Sequence, residues 1–230
     1  MIRANCRDRF TASDFEFIVQ TLARSPGESV TLGELLTDFE TRDCILDHQL
    51  LVQAILHQPI QLRISPHLYF YVLIRHVLKQ AGIPDRAMAD YVASLLETFS
   101  QTASLASPTD PTGEPTRYLS DLLLALQTAN AHQAFLIRAH VGNYSLFVSG
   151  IFHENVQHRT SRGAPDLHFY EEMGRQNFQA AATHQVARSC ELSRIFADLA
   201  QGFTQVRRAL NRVADAMLSL DEYPAGVSWA

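Results

Sequence analysis

Residues 65–82, SPHLYFYVLIRHVLKQAG, limit the possible folds of this chain more than any other segment. Ser65 suits the N-cap of a helix, and Pro66 suits the first helical position, where its missing amide proton costs no hydrogen bond. Gly82 can adopt the left-handed conformation that ends a helix. Because residues 68–74 are apolar on nearly every side, we expect this helix to be enclosed by other parts of the protein.

The same spacing of apolar side chains recurs before and after this segment. Ser13 with Glu16, and Thr31 with Glu34, have the spacing of capping boxes and predict two helix starts around the breaker SPGES. Residues 43–58 follow one helical repeat, which Pro59 ends. Asp85 is expected to begin another helix that runs to about residue 102.

The second half of the chain predicts five further helices. Asp166 is expected to cap the third of them, after the breaker TSRGAPD. Alternating strand patterns are nearly absent. The sequence therefore predicts an all-α fold, a bundle of about eight to ten helices without a substantial sheet. The five helices are expected near 117–129, 130–159, 167–189, 191–202 and 204–220.

Residues 104–116, SLASPTDPTGEPT, break the helical pattern with three prolines, three threonines and a glycine. This composition is typical of a linker or a long loop. We therefore expect an N-terminal helical subdomain at 1–103, a C-terminal helical subdomain at 117–220 and a short tail at 221–230.

Charge and cysteine usage exclude some classes of protein. The net charge of −5 argues against a general nucleic-acid binder, which needs a concentrated basic face. The cysteines, Cys6, Cys44 and Cys190, are odd in number and far apart, which favours a reducing compartment. The N-terminus lacks the apolar core of a signal peptide, and residues 134–152 carry too many polar groups for a lipid-facing span. We expect a cytoplasmic protein without a membrane segment.

Standard catalytic motifs are missing from the sequence. It contains no phosphate-binding loop, dinucleotide fingerprint, nucleophile elbow or HExxH signature. His153 and His158 flank a similar string, but their positions differ by five rather than four, and that spacing turns their side chains to different faces of a helix.

Two histidine and glutamate pairs predict a candidate metal site. Glu154 and His158 are four residues apart, as are His168 and Glu172, so each pair shares one helix face. If the chain reverses between them, two imidazoles and two carboxylates could hold a divalent metal ion such as iron, manganese or zinc. The alternative is that both are ordinary surface pairs that stabilise their own helices.

Polar side chains on two apolar helices predict a candidate ligand pocket. His140, Asn143 and Tyr144 lie on one helix, and His67 and Arg75 lie on the other. Buried polar groups need partners, so these residues either bond with one another or face a cavity that takes a small apolar or aromatic ligand.

Three arginines lie close together near the C-terminus. Arg208 and Arg212 are four residues apart, and Arg207 is beside them. This stripe could bind an anion or an acidic partner surface, or it could be a solvated helix face.

The leading functional hypothesis is a self-associating interaction or regulatory protein without catalytic activity. It follows from the missing catalytic motifs and from several amphipathic helices with more aromatic surface than one bundle needs. We therefore expect a homo-oligomer, with another protein partner as a further option. The alternative is a helical-bundle enzyme or ligand carrier that uses the pocket or the metal ligands. In size and helix number the chain resembles haem-oxygenase-like and ferritin-like bundles, at the level of fold alone.

Overall fold

Helices supply the regular structure of this chain. The computed structural model describes residues 1–57, 63–100 and 119–221. Over these residues it contains thirteen α-helices, a short 3-10 turn at Arg7–Arg9 and no strand. The predicted all-α fold is confirmed, although the helices outnumber the eight to ten expected. They are α1 (Ala12–Leu22), α2 (Pro26–Leu35), α3 (Phe39–Leu46), α4 (Gln49–His57), α5 (Pro66–Gln80), α6 (Arg86–Ser100), α7 (Leu119–Ala125), α8 (Ala131–Ile151), α9 (His153–Thr160), α10 (Leu167–Ala182), α11 (Gln185–Ser189), α12 (Ser193–Gln201) and α13 (Phe203–Asp221).

Two helices begin where the sequence predicts. Ser65 Oγ accepts a hydrogen bond from the amide of Leu68 at 3.2 Å and caps α5, with Pro66 in its first turn. Asp166 Oδ1 accepts one from the amide of Phe169 at 2.8 Å and caps α10. Each cap satisfies an amide that has no partner inside its helix.

The turn between α5 and α6 also follows the prediction. Gly82 adopts a left-handed conformation, with φ at 78°. Asp85 Oδ1 accepts a hydrogen bond from the amide of Met88 at 2.9 Å and so caps α6. A two-helix unit, α5 and α6, is thus encoded by local sequence signals.

The predicted start of α1 is wrong by two residues. The capping box consists of Thr11 and Asp14 rather than Ser13 and Glu16: Thr11 Oγ1 accepts from the amide of Asp14, and Asp14 Oδ2 accepts from the amide of Thr11 at 2.7 Å. The buried Asp14 carboxylate also accepts from the amide and hydroxyl of Ser65, at 2.6 and 2.7 Å. One carboxylate therefore joins the starts of α1 and α5.

The segment SPGES begins a helix instead of breaking one. Ser25 Oγ accepts from the amide of Glu28 at 3.3 Å, and Glu28 Oε2 accepts from the amide of Arg24 at 2.7 Å. Pro26 takes the first helical position, where it is tolerated. The start predicted at Thr31 is wrong, because Thr31 lies inside α2.

The additional helices arise from breaks inside long periodic stretches. Two of these breaks use an imidazole as the helix cap. His48 Nδ1 accepts from the amide of Leu50 at 3.2 Å, and His184 Nδ1 accepts from the amide of Val186 at 3.1 Å. A third break falls at Phe152, between α8 and α9. The usual caps are Ser, Thr, Asp and Asn, so a histidine or a phenylalanine does not indicate a helix end. The apolar repeat also continues across these positions and gives no sign of a break.

The centre of the molecule is formed by α8, α10 and α13. α8 packs against α10 and α13, α10 also packs against α12, and α5 packs against α6 and α13. Residues 139–143 of α8 are all buried, so this part of the helix lies inside the protein. Among the helices of the described ranges, none is both long enough and apolar enough to cross a membrane.

Glycine allows these central helices to approach closely. A Cβ at Gly142 of α8 would lie 2.8 Å from Cδ1 of Phe178, and a Cβ at Gly174 of α10 would overlap the ring of Phe203. Phe178 and Phe203 are 0% and 1% exposed, so neither ring can move aside easily.

The larger hydrophobic core draws on both predicted halves of the chain. Leu68 and Tyr91 precede the predicted linker, and Phe178 and Leu210 follow it, yet all four belong to this core. The linker at 104–116 lies outside the described residues, as does the tail beyond residue 221. The division into two subdomains therefore stays a prediction.

Candidate functional site

Asn143, a residue of the predicted pocket, binds a tyrosine on α6. Its Oδ1 accepts a hydrogen bond from the hydroxyl of Tyr91 at 2.8 Å, and both side chains are buried. Burial raises the pKa of Tyr91, so its hydroxyl keeps the proton that it donates. The ring of Tyr91 packs edge-on against Phe196, with centroids 5.5 Å apart. The side-chain oxygen of Asn143 thus accepts a hydrogen bond inside the core.

His140 and Tyr144 lie beside aromatic rings. The imidazole centroid of His140 is 5.7 Å from that of Phe99 and 6.5 Å from that of Tyr144. Burial is the main reason why the pKa of His140 is lowered to about 4. The imidazole is therefore neutral at physiological pH and packs as an aromatic side chain.

The predicted pocket residues on α5 have other neighbours. Arg75 binds the carboxylate of Asp47 through Nε at 2.7 Å and Nη2 at 3.0 Å. His67 lies near the start of α5, where its carbonyl accepts a hydrogen bond from the thiol of Cys6. Both α6 and α13 pack against α5 and against α8. The hydrogen bonds and ring contacts given above for the described residues do not join the α5 side chains to the α8 side chains of the predicted pocket.

Arg75 belongs to a cluster of ion pairs close to the N-terminus. Arg7 Nη1 lies 2.8 Å from both carboxylate oxygens of Asp43, and Arg86 Nη2 lies 3.2 Å from Asp47 Oδ2. Burial alone would raise the pKa of Asp47, but hydrogen bonds and charge from Arg75, with a further contribution from Arg86, hold it below its usual value. These paired charges join the N-terminal segment to α3, α5 and α6.

The four predicted metal ligands do not gather in one place among the described residues. Glu154 and His158 lie on α9, and His168 and Glu172 lie on α10, each pair four residues apart as expected. The carboxylate of Glu172 instead accepts a hydrogen bond from Arg175 of its own helix at 2.9 Å.

Glu154 forms a different group, with His153 and Asp215. One potential ligand atom from each of the three lies within 4.8 Å of the others. Sequence reasoning missed this group because Asp215 lies on α13, far along the chain from α9. Only the packing of α9 near α13 reveals the neighbourhood.

A different surface feature comprises α2, α3 and the start of α4, residues 24–50, which we call the acidic lobe. Four of its apolar side chains are exposed, Val30 by 65%, Leu35 by 43%, Phe39 by 68% and Leu50 by 41%, whereas Leu36 at the end of α2 is buried. No residue of α2 is buried, and α3 buries Leu46. The lobe therefore presents apolar side chains that are largely open to solvent, although the guanidinium of Arg42 lies 4.5 Å from the centre of the Phe39 ring.

The acidic lobe also carries exposed carboxylates. Glu34, Asp38 and Glu40 are exposed, and within the described part of the chain none of them pairs with an arginine or a lysine. Hydrogen bonds from Thr41 lower the pKa of Asp38, which caps α3. The lobe is therefore both apolar and negatively charged.

The predicted arginine stripe divides between the core and the surface. Arg207 is mostly buried and binds the carboxylate of Glu171 through Nε at 2.5 Å. Arg208 and Arg212 line a surface cleft of about 650 Å³. Arg208 is exposed and makes no ion pair with the residues that the structure describes. We call this feature the arginine cleft.

Residues at two helix ends supply the rest of the lining of the arginine cleft. It is lined by Ala81 at the end of α5 and by Gly202, Thr204 and Gln205 at the junction of α12 and α13. The pKa of His76, on α5, is lowered by its burial and then by the positive charge of Arg212. Among the residues that line the cleft, the charged side chains are thus both arginines.

No protein-family model, curated protein or solved structure matches the chain.

Proposed function

We propose that the chain is a self-associating interaction module without catalytic activity of its own, in which the acidic lobe of one copy docks into the arginine cleft of the next. The single observation that carries this proposal is that α2, a helix of ten residues, has no buried residue. α2 contacts α1, but this contact buries none of its side chains, so most of its surface is open to a partner.

The first supporting argument is energetic. Isolated helices shorter than about 12–15 residues are marginal in water, and helices in proteins gain most of their stability from packing. Phe39 is 68% exposed, and full burial of such a side chain contributes about 1.5–3 kcal/mol. Covering Phe39 and Val30 would therefore stabilise both the lobe and the contact.

Charge favours a second copy of this chain as the occupant. Glu34 and Glu40 of the lobe, and Arg208 of the cleft, all lack an ion-pair partner within the described residues. Opposite charges attract across an interface, whereas two lobes facing each other would bring carboxylates together. The lobe therefore suits the cleft better than it suits another lobe.

The two surfaces belong to different parts of the chain, so the contact joins unlike patches. Contacts of this kind repeat from copy to copy and give either closed rings or open chains. We expect the mass in solution to rise above the 25.8 kDa of one chain as the micromolar concentration of protein increases.

Two exposed substitutions test the contact by light scattering. Phe39→Ser should remove the most exposed apolar side chain of the lobe, and Arg208→Glu should reverse the charge at one of the two arginines of the cleft. Each should give a single chain of 25.8 kDa. Leu124→Ser, at a side chain that is 64% exposed on α7, and Arg162→Glu, in the exposed turn after α9, are matched controls that should still self-associate.

A mixture of the two variants separates this arrangement from a symmetric dimer. The Arg208→Glu chain keeps its lobe, and the Phe39→Ser chain keeps its cleft, so together they should form a 1:1 dimer that cannot grow. If the wild-type protein stays a monomer, or if Arg208→Glu alone associates as well as the wild type, the proposal is wrong.

A further inference from the structure

Three potential metal ligands lie close together where the start of α9 approaches α13. His153 and Glu154 are the first two residues of α9, and Asp215 lies on α13. His153 Nε2 is 3.4 Å from Asp215 Oδ1, and one ligand atom of Glu154 lies within 4.8 Å of both. An imidazole nitrogen and two carboxylates thus surround one small volume.

The charges in this group are not balanced by the protein. Among the described residues, neither Glu154 nor Asp215 forms an ion pair with an arginine or a lysine. Two carboxylates this close repel each other. A bound cation would remove the repulsion.

The identity of the donors indicates the class of cation. Imidazole favours zinc, iron, nickel and copper over magnesium and calcium, and carboxylates are compatible with the same transition metals. The side chain of His153 is only 15% exposed, so its ring is held in position before any ion binds. Three protein ligands leave a coordination position for water.

We propose that His153, Glu154 and Asp215 bind a divalent transition-metal ion, with Zn²⁺ as the type case, and that the ion clamps α9 to α13. α9 buries only Val156, so apolar packing holds it weakly. The clamp would supply the missing attachment. This site lies outside the acidic lobe and the arginine cleft, so it does not depend on self-association.

Moderate affinity is expected from the surroundings of His153. In strong metal sites the second ring nitrogen of the ligand histidine bonds to a carboxylate or a carbonyl, and such partners change affinity by about 10–100-fold. His153 Nδ1 is buried without a hydrogen-bond partner among the described residues. We therefore expect binding in the micromolar range.

Calorimetric titration of the tag-free protein with ZnCl₂ tests the proposal. We expect one equivalent to bind and the melting temperature to rise. Co²⁺ bound in the same place should give the visible absorption bands that are typical of a low coordination number. Binding by the wild type that is undetectable up to millimolar Zn²⁺ would overturn the proposal.

Variants identify the ligands. His153→Ala and Asp215→Asn should each weaken Zn²⁺ binding by about tenfold or more, and should remove the rise in melting temperature and the Co²⁺ bands. Asp215 is 56% exposed, so its substitution leaves the core intact. His168→Ala, at an exposed position of α10, is the matched control and should bind like the wild type. Equal binding by all three variants would assign the metal to other side chains and overturn the proposal.

Discussion

Gly174 sets the distance between two central helices because it lacks a side chain. A Cβ at this position would overlap the ring of Phe203, which is 1% exposed. The ring is held in place by the interior around it, including Phe178 with a centroid 6.2 Å away. The packing of α10 on α13 therefore depends on the absence of one methyl group.

We predict that Gly174→Ala destabilises the protein, although alanine favours helix formation. Overpacking of a closed core costs about 1–3 kcal/mol, which exceeds the gain of about 0.5–1 kcal/mol from replacing a helical glycine. The free energy of unfolding in urea measures the balance. Gly33→Ala is the control, because nothing lies within 4 Å of a Cβ there, and it should stabilise α2. A stabilised Gly174→Ala variant would mean that the ring of Phe203 moves freely.

At the scale of single residues, the sequence predicts those interactions that join residues close together in the chain. Ser65 and Asp166 act as caps because each bonds to an amide three residues away. The bond between Tyr91 and Asn143 spans 52 residues, so no local pattern indicates it. For the same reason the sequence could suggest Glu154 as a candidate metal ligand, but it could not indicate its neighbour Asp215.

At the scale of elements, the ion-pair cluster fixes α3 to α5. The guanidinium of Arg75 is nearly buried, with its side chain 5% exposed, and Asp47 supplies its counter-charge. Pro84 O accepts a third hydrogen bond from Arg75 at 2.6 Å. The orientation of α3 therefore depends on a charge pair largely removed from water.

We predict that Asp47→Asn destabilises the protein by about 3 kcal/mol, because it leaves a nearly buried cation without its counter-charge. The folded-state pKa of Asp47 is below its usual value, so this pair stabilises the fold above that value and the contribution is lost as the pH falls through the folded-state pKa. The difference between wild type and variant in urea unfolding should be largest near neutral pH and shrink below about pH 4.

A matched substitution tests whether the effect belongs to the cluster. Asp121→Asn, at an exposed position of α7, should change stability little at any pH. A difference between wild type and Asp47→Asn that does not vary with pH would contradict the assigned role of the Asp47 charge.

Helix existence was easier to predict than helix boundaries. Apolar periodicity located nearly every helical region, since burying one face requires that spacing. It could not find the break at His48, where an imidazole caps α4, or the start of α2 at Pro26, where the first helical proline looks like a breaker. Boundaries depend on single caps, and unusual caps give no periodic signal.

At the scale of the whole molecule, opposite charges lie on different surfaces. Glu34 and Glu40 lie in the acidic lobe, and Arg208 and Arg212 lie in the arginine cleft. Composition predicts only the net charge of −5. The separation of charge appears once the helices are placed in space.

We predict that salt weakens self-association. The Debye length falls from about 8 Å at physiological ionic strength to about 3 Å at 1 M, which screens exposed charges. The mass measured by light scattering should therefore fall toward 25.8 kDa in 1 M NaCl. The Phe39→Ser variant should stay at that mass in either buffer. Stronger association at high salt would indicate a contact driven by apolar surface alone.

The lack of any buried residue in α2 has a consequence for the timing of contacts between copies. This helix can unwind without opening the hydrophobic core, so its amide protons should exchange with solvent long before those of the enclosed α8. Each docking event must then order the lobe, and that ordering subtracts from the free energy of binding. The proposed assembly would therefore dissociate readily. The number of copies in it would rise and fall with the protein concentration in the cell.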